Sequence, residues 1–161
     1  MHRHKIRYTL AAAAAAAFTF VAQAGARDGQ VPFSASVSGT ASFTSQTTTE
    51  FIGVGQATHM GRISSVGEVS FTPPNAAGCY PNINIETLTA ANGDQLVVRS
   101  DDQACPIGPT SFHGFGNWVV VGGTGRFADA TGKGSFDGES DFGPGFSPGP
   151  FHFTLTGTVS Y

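Results

Sequence analysis

The sequence FHFTLTGTVSY, at residues 151–161, alternates apolar and polar side chains along almost its whole length. FSASVSGTASF, at residues 33–43, repeats the pattern, with Phe, Ala and Val separated by Ser and Thr. A period of two is typical of a β-strand that buries one face. Beyond residue 24, no long stretch carries the helical apolar period. These two segments therefore predict an all-β protein.

Six further strands are predicted between these two, separated by turns rich in Gly, Pro and Asn. They lie near residues 50–58, 62–72, 83–91, 95–101, 110–122 and 132–141. Asn92-Gly93, between two apolar runs, is a strong hairpin signal. Eight strands in the residues that follow position 24 are typical of an eight-stranded antiparallel up-and-down barrel. A β-sandwich is the alternative architecture.

The composition fits a small, tightly bent sheet. Of 161 residues, 22 are Gly and 14 are Phe, whereas only 12% are charged. Glycines opposite large Phe side chains allow the tight coiling that a small barrel needs. The formal net charge of −3 and the lack of a basic patch argue against nucleic-acid binding. No His or Cys set has metal-ligand spacing and no Gly-rich turn opens a helix, so we expect neither metal nor cofactor.

The first 24 residues have the three parts of a secretory signal peptide. Arg3, Lys5 and Arg7 precede an apolar run over residues 10–22, and Ala22-Gln23-Ala24 matches a signal-peptidase site. We expect cleavage after Ala24, a single barrel domain over residues 25–161, and export to the periplasm or the medium. A buried N-terminal helix is the alternative interpretation. Cleavage removes three of eight basic residues and no acidic one, which changes the formal charge from −3 to about −6.

The two cysteines, Cys79 and Cys105, both follow the signal segment. Exported proteins form disulfides in their oxidising compartments, so one disulfide is the simplest prediction and two free thiols the alternative. In an up-and-down barrel the third and fifth connections emerge at the same end, which permits this bond. Closing this loop would stabilise the fold by roughly 3–4 kcal/mol.

The stretch VVVGGTGRFADATG, at residues 119–132, resembles the Gly-Gly-Thr-Gly-x-Phe-x-x-Ala-x-Gly signature of the allene oxide cyclase and dirigent barrels. Two shorter stretches, ATHMGR (57–62) and TAANGD (89–94), resemble turns in uncharacterised bacterial exported proteins of that class. The signature residues in this chain are Gly122, Gly123, Thr124, Gly125, Phe127 and Gly132. Their residue types predict a structural turn, in which glycines adopt positive φ and Phe127 folds back to plug the barrel end.

The resemblance implies an eight-stranded antiparallel barrel with an apolar cavity, and a trimer, as is frequent among plant members. Plant cyclases of this class steer an unstable fatty-acid epoxide into ring closure, and dirigent proteins hold phenoxy radicals during coupling. The shared signature is a turn, and neither group's pocket residues match positions in this chain. The resemblance therefore carries no activity over to it.

Five residues are candidates for a ligand cavity. Three of them are charged and interrupt weakly polar predicted strands, and the other two, a histidine and a phenylalanine, share one strand face that could point inward. The five are Glu68, Glu86, Arg99, His113 and Phe115. Inward groups of this kind would be the few polar anchors of an apolar pocket, and an inward Glu86–Arg99 pair would favour catalysis. Solvated positions on the outer face are the alternative. No Gly-x-Ser-x-Gly elbow or His-Glu-x-x-His motif is present, so no catalytic residue is assigned.

The leading functional hypothesis is an exported soluble barrel that binds a small hydrophobic molecule, since small closed barrels either fill with side chains or hold one ligand. One alternative is an enzyme, like the cyclases and dirigent proteins, that steers a reactive hydrophobic intermediate. Others are a structural envelope protein with a filled core and a small outer-membrane barrel. We expect no membrane span in the mature chain. The resemblance to the plant barrels implies a homo-oligomer.

Overall fold

The computed structural model describes residues 29–161, and the predicted signal peptide over residues 1–24 lies outside them. Eight antiparallel strands form a closed barrel in which each strand pairs with the next and the last with the first. The strands are β1 (Val31–Phe43), β2 (Thr48–Ala57), β3 (Gly61–Phe71), β4 (Tyr80–Ala90), β5 (Gln95–Pro106), β6 (Ser111–Gly123), β7 (Thr131–Asp141) and β8 (Gly149–Ser160). The predicted barrel is confirmed, and the sandwich alternative is wrong.

The alternation in β1 shows how the sequence divides the inside from the outside. Phe33, Ala35 and Val37 are buried, whereas Ser34 and Ser36 between them are exposed. Serine and threonine cover the outer face without losing their hydration, and the apolar side chains leave water. The same division holds in β8, which pairs with β1 from Val31 opposite Val159 onward.

The barrel has two ends that differ in their packing. One end, here called the closed end, holds the β2–β3, β4–β5 and β6–β7 connections together with the described chain termini. The interior near this end is filled by large side chains that have at most 1% exposure: Phe33, Leu88, Leu96, Val98, Trp118, Phe127, Leu155 and Val159. The opposite end, here called the open end, holds the other four connections.

Trp118 occupies the middle of the packed half because glycine lies opposite it. Its indole contacts Phe33 edge to face at 5.6 Å between ring centroids, and its Nε1 donates a 3.0 Å hydrogen bond to the Ser135 carbonyl oxygen. A Cβ added at Gly157 would lie 2.8 Å from the Trp118 ring. Because position 157 is glycine, the indole of Trp118 can pack directly against the backbone of β8.

The 122–132 turn covers the closed end. Of the signature glycines only Gly125 has a positive φ, at +58°, so the expectation of a positive φ is wrong for Gly122, Gly123 and Gly132. Gly125 also begins a short 3-10 helix over Gly125–Phe127. Phe127 is fully buried, with its ring centroid 4.9 Å from that of Tyr161. Thr124 accepts a 3.0 Å hydrogen bond from the Gln95 backbone N–H, which joins the turn to the start of β5.

The predicted disulfide between Cys79 and Cys105 is confirmed, with the two Cα atoms 4.2 Å apart. Cys79 lies in the β3–β4 connection as predicted. Cys105 is the second-last residue of β5, whereas the sequence predicted it in the β5–β6 connection. Strand β5 continues to Pro106 because its pairing with β6 extends as far as Phe112. The bond fastens the β3–β4 connection to the rim of the open end.

Candidate functional site

A cavity of about 490 Å³ occupies the half of the barrel nearest the open end. This volume lies within the range of small-molecule sites, about 300–1,000 Å³. Its walls are mainly aromatic: Phe43, Phe51, Phe71, Tyr80, Phe112, Phe136, Phe142, Phe146, Phe151 and Phe153. Most of these are inward positions of strand ends, so the alternation that fills the other half supplies a hydrophobic wall here.

The cavity exists because small residues replace large ones at its inward positions. Ala41, Ala104, Gly114 and Gly138 all line it. A Cβ at Gly114 would meet only the edge of the Phe136 ring at 3.2 Å, with its next neighbour 3.8 Å away. Trp118, four residues after Gly114 on the same inward face of β6, lies in the packed half. The same strand therefore leaves space at one end and fills it at the other.

Phenylalanines from the end of β1 and from the β7–β8 connection form the rim. The ring of Phe43 lies 4.7 Å from that of Phe142 and 5.6 Å from that of Phe146. Phe146 adopts a φ of +59°, which is costly for a bulky residue. Its ring is 45% exposed and lines the cavity. A strained backbone thus presents an exposed aromatic ring at the entrance.

One side of the interior carries polar side chains, here called the interior polar cluster: Thr49, Ser65, Asn82, Asn84, Glu86, Ser100 and Asp102. All seven are buried, and four line the cavity: Thr49, Asn82, Asn84 and Asp102. Glu86, Ser65 and Ser100 lie beside them toward the packed half. Register pairs Asn84 with Ser100 and Asn82 with Asp102 across β4 and β5.

Five buried atoms of this cluster have no hydrogen-bond partner. They are Thr49 Oγ1, Asn84 Oδ1, Glu86 Oε2, Ser100 Oγ and Asp102 Oδ1. Leaving a buried polar group unpaired costs about 1–3 kcal/mol, and native proteins rarely do so. Their concentration beside a cavity indicates that bound molecules, water or ligand, complete the hydrogen bonding there.

Two carboxyl groups of the cluster have strongly altered acidity. Burial raises the pKa of Glu86 to about 8, with the hydrogen bond from Ser65 opposing this shift and the charge of Asp102 adding to it. Burial also raises the pKa of Asp102 to about 7, with the neighbouring charge of Asp101 adding to it. At neutral pH the Glu86 carboxyl is therefore mainly protonated and can donate a hydrogen bond.

Of the five predicted cavity residues, only Glu86 points inward, and it lies next to the cavity rather than in its wall. The exposed Glu68 side chain lies on the outer face of β3. The inward positions of β5 are even-numbered, so Arg99 points outward and forms 2.7 Å hydrogen bonds with both Asp101 carboxylate oxygens. This placement corrects the expectation of an inward Glu86–Arg99 pair.

His113 and Phe115 also lie on the outer face, which corrects their assignment to the cavity. His113 Nε2 lies 3.0 Å from an Asp137 carboxylate oxygen, and its ring packs on that of Phe115 at 5.3 Å. The inward positions that follow each of them are Gly114 and Gly116, which have no side chain to reveal the buried face. Because Phe115 is the large apolar residue in this part of β6, the sequence pattern wrongly predicted that its face is the inward one.

The sequence reading missed most of the interior polar cluster. In β4 the apolar Ile83 and Ile85 point outward, and Asn82, Asn84 and Glu86 point inward. A signal was present, because Leu88 and Ala90 share the even-numbered face with these polar residues. Continuing the strand's period back from Leu88 places all of them inside.

The fold and site together define a closed eight-stranded antiparallel barrel with one packed half and one hollow, aromatic-walled half. Comparison with protein families, with curated proteins and with solved structures finds no match for this chain. Within residues 29–161, no helix is long and apolar enough to cross a bilayer. The same residues contain no group of three or more His, Cys, Asp or Glu side chains that could hold a metal ion.

Proposed function

We propose that the protein binds a small hydrophobic molecule, which enters through the open end and packs against the aromatic walls of the cavity. The observation that carries this proposal is the uneven filling of the barrel. One half is filled by large, fully buried side chains, and the other keeps about 490 Å³ of space beside unpaired polar atoms. Empty apolar space of this size costs stability, so its retention favours a ligand site over a purely structural barrel.

The outer face and the disulfide support the rest of this proposal. Outward positions of β1 and β8 are mostly serine and threonine, as expected for strands in water, whereas an outer-membrane barrel presents an apolar band to lipid on every strand. Strands β2, β3 and β4 do expose apolar side chains, namely Ile52, Val54, Val66, Ile83 and Ile85. The Cys79–Cys105 bond supports export, because disulfides persist in oxidising compartments. We therefore favour an exported soluble binding protein over the envelope and outer-membrane alternatives.

A catalytic function is the second candidate, and one observation favours it. Glu86 and Asp102 have pKa values of about 8 and about 7, which suit general acid–base chemistry near neutral pH. Only Asp102 lines the cavity, however, and the cationic partner expected for Glu86 is on the outer surface. Shape-directed steering of a reactive molecule, as in the cyclase and dirigent barrels, would use the same cavity and the same entrance.

The test is a titration with N-phenyl-1-naphthylamine, an uncharged apolar probe whose fluorescence rises on leaving water. We expect saturable binding to the wild-type protein and at least tenfold weaker binding to Ala104→Trp, since Ala104 lines the cavity between Tyr80 and Gly114. Ser36→Trp adds the same ring to the outer face of β1 and is the matched control. Equal binding by all three proteins would contradict the proposal. If the probe binds as expected, native mass spectrometry of protein from its natural host would identify the natural ligand directly.

A further inference from the structure

We propose that the cavity selects a hydrophobic amine in its ammonium form, with the charged head on Asp102 and the neighbouring amide oxygen of Asn84. This inference rests on the proposed function, because it names the chemical class that the apolar cavity accepts. It follows from three independent features of the described residues: the sign of the charges around the cavity, the kind of hydrogen-bonding atoms left unpaired, and the aromatic walls.

The charged groups around the cavity are acidic. Asp102 lines its inner part and Glu86 lies beside it, whereas no Lys or Arg of residues 29–161 lines the cavity, and Glu139 at the mouth is exposed on the outer face. His152, also at the mouth, is exposed to solvent. A carboxylate or phosphate ligand would bring a negative charge next to these groups without a cation to balance it. The absence of a cationic side chain from the cavity wall therefore disfavours anionic ligands, and ionised Asp102 favours a cation.

The unpaired atoms call for hydrogen-bond donors. Asn84 Oδ1, Ser100 Oγ and Asp102 Oδ1 all lack partners, and they lie on two adjacent strands. Asn84 is directly opposite Ser100, and Asp102 is two residues further along β5 on the same inward face. A primary ammonium carries three N–H donors and no acceptor. It can donate hydrogen bonds to Asn84 Oδ1 and Asp102 Oδ1, whose residues line the cavity, which neither an ether nor a ketone can do.

The aromatic walls favour the remainder of such a ligand. Phe136, Phe151 and Phe153 line the cavity, and the ring of Phe153 lies 5.5 Å from that of Phe136. These rings bury an apolar ligand body, and the faces of aromatic rings attract cations by about 0.5–2 kcal/mol. A molecule with one ammonium end and one hydrocarbon end thus matches both parts of the site.

The acidity of Asp102 makes the binding depend on pH. Glu86 faces Asp102 from β4 and Asp101 adjoins it on β5, while β6 places only Phe112 and glycines on its side. Tyr80, Glu139 and His152 are the other titratable groups of the cavity lining. Because the pKa of Asp102 is about 7, its ionised fraction rises from about one tenth at pH 6 to about nine tenths at pH 8. Affinity for the ammonium should rise about tenfold over this interval.

The experiment compares three probes of nearly equal size, 2-phenylethylamine, 2-phenylethanol and phenylacetate, each competing with N-phenyl-1-naphthylamine at pH 8. We expect the amine to bind at least tenfold tighter than the alcohol, and phenylacetate to bind weakest. Asp102→Asn should abolish the preference for the amine over 2-phenylethanol. Asp101→Asn, on the adjacent outward position, should retain the preference.

The outcomes separate this inference from the proposed function. If N-phenyl-1-naphthylamine does not bind the wild-type protein, the proposed function fails and this inference fails with it. If that probe binds but amine and alcohol compete equally, only the amine selectivity is overturned. Binding of the uncharged probe to Asp102→Asn shows that the variant is folded. The wild-type pH series needs no variant, and an amine affinity that is flat from pH 6 to 8 would also overturn the inference.

Discussion

The Ser65 hydroxyl donates a 2.5 Å hydrogen bond to Oε1 of Glu86, while the other carboxyl oxygen of Glu86 has no partner. Glu86 is completely buried between the cavity and the packed half of the barrel. A fully ionised carboxylate there would have one oxygen without any donor, which is why burial raises its pKa to about 8. The protonated acid is the form that this position stabilises at neutral pH.

The first prediction concerns the stability of the fold against pH. The pKa of Glu86 is raised in the folded state, from 4.5 to about 8, so unfolding releases a proton between these values. The contribution of Glu86 to the free energy of unfolding should therefore be greatest below about pH 4.5 and should decrease as the pH rises toward 8. The free energy of unfolding of the wild-type protein should fall by on the order of a few kcal/mol over this pH range because of Glu86. Glu86→Gln has an uncharged side chain at every pH and should not show this fall.

Urea unfolding at pH 5 and pH 8 measures this difference. Asp102 contributes in the same direction, since its pKa is also raised, so the variant should retain a smaller pH dependence rather than none. Glu50→Gln, on the outer face of β2, is the matched control and should behave like the wild-type protein. An unchanged pH dependence in Glu86→Gln would show that the carboxyl is hydrated in solution.

The second prediction isolates the Ser65 hydrogen bond. Ser65→Ala leaves Oε1 of Glu86 without its donor, so we expect a loss of about 1–3 kcal/mol in the free energy of unfolding. The bond also lowers the pKa of Glu86, and its removal should raise that pKa further. Ser64→Ala removes an exposed hydroxyl one position away and should change stability by less than about 0.5 kcal/mol. Equal effects of the two variants would contradict the assigned role.

How far the sequence predicts this molecule depends on which residues reveal the buried face. In β1 and β8 the large inward side chains alternate with serine and threonine, so the strands and the barrel follow from pattern alone. In β6, Gly114 and Gly116 hide the inward face, and His113 and Phe115 were assigned to the wrong side of the sheet. Alternation identifies a strand reliably, but it assigns a face only when inward positions carry side chains.

The cavity is harder to predict, because it depends on the sum of side-chain volumes around the whole barrel. Gly114 leaves space beside Phe136, whereas Trp118 fills the barrel a few residues away. Deciding which inward residues share a level requires the register of all eight strands, and no single segment contains that information. Asp102 was missed for a related reason, since an acidic pair at 101–102 in sequence offers no sign that one member is buried.

The third prediction tests the independence of the two halves. Phe127 is fully buried at the closed end and contacts Tyr161, so Phe127→Ala should lower the free energy of unfolding by about 3–5 kcal/mol. The cavity lies at the other end, so the folded variant should bind N-phenyl-1-naphthylamine with unchanged affinity. Thermal and urea unfolding measure the first effect and probe titration the second. Phe115→Ala, at a 37% exposed ring on the outer face, is the control and should cost much less.

The fourth prediction concerns Phe146 and the rate at which ligand leaves. Phe146→Gly removes the exposed ring from the rim and relieves the positive φ, which glycine adopts without steric cost. The relief of strain offsets the lost contacts with Phe43 and Phe142, so stability should change by less than about 1 kcal/mol. Without the ring the entrance widens, and the bound probe should dissociate several-fold faster in a stopped-flow dilution. Phe146→Tyr keeps the ring and should keep the wild-type rate. If Phe146→Gly and Phe146→Tyr release the probe at the same rate, the ligand does not pass between Phe146 and Phe43.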